Sequence, residues 1–207
     1  MYSKLVISPH VDEEFLSVGG ILDKDTFVVY CGLDELHITE DWVKDRPTRT
    51  QRMKELESVV SITNHSYEIL ENKVNYYILQ DLIGIFEKKI NELKPLEIYI
   101  PHPSYNQDHR NVYEAALTAL RPHDINHFVK RVFVYEQPHM LFWDDEDFSP
   151  NYFVSIDIER KIKLYELMET QVRNHRSSEH VRAISKVRGG QSMYEYAEAF
   201  KILRWVD

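Results

Sequence analysis

Cysteine is almost absent from this 207-residue sequence: Cys31 is the one thiol, so no intramolecular disulfide can form. That usage suits a reducing cytosol. Basic residues are in deficit, 25 Lys and Arg against 34 Asp and Glu, which leaves a formal charge of −9 with histidines neutral. A nucleic-acid partner is disfavoured, because binding a polyanion relies on basic surface to displace counterions. No apolar run approaches the ~20 residues needed to cross a bilayer, so no membrane span is expected. The opening Met1-Tyr2-Ser3-Lys4-Leu5-Val6-Ile7-Ser8 reads as the start of a strand and lacks the charged-then-apolar pattern of a signal peptide. Also missing are an internal repeat, a low-complexity segment, a convincing domain boundary and a Gly-x-Gly-x-x-Gly turn after Ile7. The last absence argues against a dinucleotide binder, since acidic residues there would repel a pyrophosphate.

What is present is ordinary for a globular protein: 43% hydrophobic and 29% charged residues. A chain this long can bury about 70% of its unfolded surface. One cytoplasmic domain over residues 1–207 is the expectation.

The apolar pattern alternates between two periods. Short β-branched runs at Leu5–Ile7, Thr26–Cys31, Tyr67–Leu70, Leu96–Ile100, Arg131–Tyr135 and Tyr152–Ile156 read as strands. Helical spacing predicts helices over Glu14–Leu22, Thr48–Ile62, Gln80–Leu93, Asn111–Leu120 and Ile158–Val172. In the second of these, Arg49, Arg52 and Glu55 fall off the apolar face. Asp34–Pro47 and the acidic, aromatic Phe142–Phe148 read as surface loops. Strands alternating with helices through short connections predict an α/β fold, a Rossmann-like, mostly parallel sheet with helices on both faces. Ligands in such folds bind beyond the carboxyl ends of the strands.

Two loops of that kind carry chemistry. The first reads Ser8-Pro9-His10-Val11-Asp12-Glu13-Glu14, and three carboxylates packed so closely repel unless a cation or protons occupy the cluster. The second reads His102-Pro103-Ser104-Tyr105-Asn106-Gln107-Asp108-His109. Bringing the two strand ends together puts His10, Glu13 and His109 within reach of one ion. Two imidazoles and a carboxylate with an open position make the ligand set of a catalytic zinc site. Asp12 would then be free to act as a base. The plainer readings are that the acids merely favour a helix dipole and that Asp108 is an N-cap.

The first loop resembles the His-Pro-Asp-Asp-Glu opening motif of the LmbE/PIG-L family of zinc-dependent N-deacetylases, and Asn106-Gln107-Asp108-His109-Arg110 resembles that family's second motif. Three further stretches in the family's order extend the likeness: Arg52-Met53-Lys54-Glu55; Asn151–Ile158 followed by Lys161; and Arg188-Gly189 with Tyr196–Phe200. The resemblance implies that His10 and His109 ligate zinc, that Glu13 stands on the aspartate ligand, and that Asp12 is the catalytic base. Glu13 is a methylene longer than the family's residue. Asn106 stands where many members carry an oxyanion-stabilising histidine, and it can donate a hydrogen bond but no proton.

The acid would come from His175 or His102, with His175 preferred. A backbone N–H near Gly19-Gly20 would assist the oxyanion. The implied substrate is an N-acetylated amino sugar or small glycoconjugate, with Tyr105, Arg110, Phe142 and Trp143 at a sugar rim. Arg173, Arg176, Arg182 and Arg188 would offset the acidic loop should the substrate be anionic. Relatives are often oligomers, and a homo-oligomer is one expectation. The competing reading is a degenerate, non-catalytic relative that binds a metal or a protein partner.

Overall fold

The structure is a computed structural model that describes residues 2–33, 47–137 and 148–207. Both predicted surface loops lie largely outside them. In chain order the elements are β1 (Lys4–His10), α1 (Glu13–Val18), β2 (Thr26–Gly32), α2 (Arg49–Thr63), β3 (Ser66–Ile69), α3 (Leu79–Leu93), β4 (Glu97–Pro101), α4 (Gln107–Ala119), β5 (Arg131–Tyr135), β6 (Tyr152–Ser155), α5 (Ile158–Glu166), α6 (Ser178–Ser192) and β7 (Ala197–Trp205). A single 3-10 turn, Glu169–Gln171, lies between α5 and α6.

The sheet has seven strands in the order β3-β2-β1-β4-β5-β7-β6. The first five run parallel, whereas β7 is antiparallel to both β5 and β6. This is the expected mostly parallel α/β architecture. Helices cover both faces, so each strand must be apolar on both sides. Leu5, Val6 and Ile7 are fully buried, yet Val6 packs in one core cluster and Leu5 and Ile7 in the other. Each such side chain contributes roughly 1.5–3 kcal/mol.

From β1 the chain goes to β2 on one side, and β4 lies on the other. The strand order therefore reverses at β1/β4, and a crevice opens beyond the carboxyl ends of neighbouring strands where it does. His10 ends β1, and Pro101 ends β4 ahead of the loop into α4.

Local chemistry explains most boundaries. Thr48 and Gln51 form a reciprocal capping box on α2. Asn106 caps α4, its Oδ1 accepting the Asp108 N–H at 2.8 Å, so the cap lies two residues before the expected Asp108. Helix α1 is shorter than expected. It ends at Gly19-Gly20, where a Cβ on Gly20 would come within 2.4 Å of Ile156 Cγ2. Helix α5 stops at Glu166 and not at Val172, because Glu55 accepts both the backbone N–H and the hydroxyl of Thr170, each at 2.8 Å. No helix among the described residues is long and apolar enough to cross a membrane.

Candidate metal centre

Beyond the β1 and β4 ends lies a cleft of about 260 Å³, whose lining includes His10, Asp12, Glu13, Arg52, Asn106 and His109. Gln171, Arg173, His175 and Arg176, from the segment between α5 and α6, supply another wall. Tyr165 fixes that segment, its hydroxyl donating to the Arg176 carbonyl at 2.6 Å.

His10, Glu13 and His109 each offer a ligand atom, and these atoms all lie within 4.8 Å of one another. Strand β1 delivers His10, the first turn of α1 delivers Glu13, and the first turn of α4 delivers His109. Glu13 Oε1 is 3.2 Å from His10 Nδ1 and 2.6 Å from His109 Nε2. The far nitrogen of each ring is engaged elsewhere: His10 Nε2 lies 3.1 Å from Asp108 Oδ2, and His109 Nδ1 lies 3.0 Å from Ser104 Oγ. Asp108 is fully buried and also accepts the Asn75 N–H at 2.6 Å. Such outer partners fix ring orientation and leave the inner nitrogens for an ion.

The donor set fits a metal on its own evidence. Glu13 Oε2 and His109 Nε2 are buried without a hydrogen-bond partner, so the short His109–Glu13 approach is not an aligned hydrogen bond. Burial would lower the His10 pKa, but Glu13 and Asp108 outweigh it and raise it to about 10. Burial likewise opposes the Glu13 charge, yet His109 and His10 hold its carboxyl well below the usual range. The carboxylate and the rings around it thus call for positive charge between them, which a divalent cation bound by two neutral imidazoles would supply.

The three clustered carboxylates are accommodated in three ways. Glu13 faces the histidines. Glu14 is fully buried, and burial pushes its pKa up to about 8, so it keeps its proton at neutral pH. Asp12 accepts from Arg176 Nη1 at 2.7 Å and stands 3.8 Å from Arg52 Nη2. Asp12 stands at the N-cap position of α1 without a side-chain cap hydrogen bond, and Glu13 and Glu14 occupy the first turn, where carboxylates favour the helix dipole.

Several expected positions differ. Arg52 is buried and not on a solvent face; it bonds the Val11 carbonyl and reaches Asp12. The Gly20 N–H is spent on Glu198 Oε1 at 2.7 Å and neither glycine lines the cleft, so they offer no oxyanion donor. Arg110 braces the Ser104 carbonyl at 2.7 Å and is absent from the lining. Arg182 and Arg188 are paired with Glu159 and Glu136. Tyr105 is at the cleft, whereas Phe142 and Trp143 lie outside the described residues. His175 lines the cleft, and burial together with Arg176 and Arg173 lowers its pKa. His102 does not line it; its ring packs edge-on against Phe148. Sequence reasoning missed Ser104, Asn75 and Gln171 as supports, and the Arg176 clamp on Asp12. The Arg-x-x-Glu spacing was the available signal for α2: Arg52 lines the cleft and reaches Asp12, and Glu55 holds Thr170 next to the cleft-lining Gln171.

No protein-family model matches the sequence, and no curated protein sequence does either. Solved structures do match in fold. The conserved protein TT1542 from Thermus thermophilus is 19% identical with a TM-score of 0.79, over 100% of this chain and 97% of that one. GalB, the 4-carboxy-2-hydroxymuconate hydratase from Pseudomonas putida, is 19% identical with a TM-score of 0.76, over 100% and 99%. The N,N'-diacetylchitobiose deacetylase from Pyrococcus horikoshii is 18% identical with a TM-score of 0.72, over 97% and 83%. The chain therefore shares the α/β fold of a deacetylase and of a hydratase.

Proposed function

We propose that this chain is an LmbE/PIG-L-type N-deacetylase, a single zinc-dependent hydrolase domain that removes an acetyl group from an N-acetylated amino sugar or small glycoconjugate. The observation that carries the reading is the meeting of His10, Glu13 and His109, with unpartnered buried atoms between them and Asp12 alongside. The likeness in fold to a deacetylase supports it.

Zinc held by these three residues would polarise the amide carbonyl and lower the pKa of a bound water. Asp12, kept in place by Arg176, takes the proton released as water adds to the carbonyl carbon. The Asn106 Oδ1 is occupied by its helix cap, which leaves Nδ2 to donate to the oxygen that gains charge. His175 returns a proton to the departing nitrogen, and acetate and a free amine leave. Burial, Arg176 and Arg173 lower its pKa, so the protonated ring releases its proton more readily than a free imidazolium. The proton taken up by Asp12 balances the one that His175 gives.

The test is zinc content measured beside acetate release from N-acetylated sugars. Asp12→Asn should keep zinc and lose roughly 10²–10⁴-fold in kcat, whereas His109→Ala should lose both. Zinc without acetate release from any such sugar would favour the non-catalytic reading. Hydration of an unsaturated acid would favour the chemistry of the GalB neighbour.

A further inference from the structure

The cleft mouth is more basic than amide hydrolysis requires. Arg52, Arg173 and Arg176 all line it, in a chain of net charge −9. Among the described residues two acidic side chains, Asp12 and Glu13, are in that lining, and Glu13 faces its histidines. Asp12 is shared between two guanidinia, at 2.7 Å from Arg176 and 3.8 Å from Arg52, which leaves Arg173 without a carboxylate partner among the described residues. Arg52 and Arg176 are 4% and 7% exposed, and their Nε–H groups have no hydrogen-bond partner among the described residues. Arg173 is exposed and forms no ion pair among the described residues, unlike Arg182 and Arg188 on α6. Burial lowers the His175 pKa, and Arg176 and Arg173 beside it lower it further. A neutral acetamido sugar leaves this charge unanswered, while a guanidinium fork matches the oxygens of a carboxylate or phosphate.

We infer that the cleft mouth is an anion subsite, in which Arg173, backed by Arg52 and Arg176, takes a carboxylate or phosphate carried by the molecule whose acyl group enters the metal centre. The inference rests on the proposed hydrolase reading for the acyl group alone.

The probes are N-acetylglucosamine, N-acetylmuramic acid and N-acetylglucosamine 1-phosphate, with calorimetric binding to the zinc-incubated chain and acetate release measured in parallel. At least one anionic probe should bind about ten-fold more tightly than the neutral sugar, the size expected of one charge-assisted hydrogen bond. The advantage should shrink as salt rises. The two anionic arms separate carboxylate from phosphate. Arg173→Ala, an exposed substitution that leaves the core intact, should bring the anionic probe to the affinity of the neutral one, and Arg182→Ala should keep the preference. Equal binding of all three probes, binding of none, or a preference that survives Arg173→Ala overturns the subsite. Preferential anion binding without acetate release keeps the subsite and ends the deacetylase reading. Equal acetate release from all three does the reverse.

Discussion

His65 should make the fold acid-sensitive in a defined window. The ring is 2% exposed, behind the left-handed cap Asn64 that ends α2. Thr63 Oγ1 donates to the Val59 carbonyl, so at 2.6 Å from His65 Nδ1 it acts as acceptor, and Nε2 faces the Tyr30 hydroxyl at 3.3 Å. The neutral ring is thus satisfied on both sides, and burial without an acidic neighbour lowers its pKa to about 4. The unfolded chain takes the proton near pH 6.5, the folded one only near pH 4. Stability is therefore fully present above pH 6.5 and is lost as pH falls toward 4. At about 1.36 kcal/mol per unit, this one group should cost about 2 kcal/mol at pH 5. Urea unfolding at about pH 7.5 and about pH 5 should show wild type losing about 2 kcal/mol more than His65→Gln. Equal losses in both proteins, or an NMR titration of folded His65 near the ordinary value of about 6.5, would refute the reasoning.

Other expectations concern the centre and its frame. Asp108→Asn keeps shape but removes the charge behind His10, and should weaken zinc binding about 10–100-fold in a chelator competition; unchanged affinity counts against the outer-partner role. Removing metal with a chelator should abolish acetate release, and zinc should restore it. Gly20→Ala should destabilise by about 1–3 kcal/mol by overpacking against Ile156, and an unchanged denaturation midpoint would show that the contact relaxes. Lys161→Met leaves the Glu198 carboxylate buried without its 2.7 Å partner and should cost about 3–5 kcal/mol, partly recovered by adding Glu198→Gln.

The first two-thirds of the fold was legible because its strands are buried on both faces and its helices carry apolar stripes, as Leu82, Phe86 and Ile90 do on α3. Helix α6 was not, because its buried seam is Val181, Ser185 and Gly189, which leaves no apolar period to read. In β7 the last five residues alternate between half-buried and exposed while the first four are buried throughout, so no single period runs along it. The end of α5 was misplaced because the competing acceptor, Glu55, lies 115 residues away in sequence.

The sequence by itself determined the alternation of strands and helices and placed a charged turn at each of two strand ends, since both depend on residues close together in the chain. Only the tertiary structure decided how each carboxylate is neutralised. Arg176 comes to Asp12 across 164 residues, and Asp108 to His10 across 98. The stability of a buried charge depends on what surrounds it in space, and local periodicity carries no record of partners that arrive from distant segments.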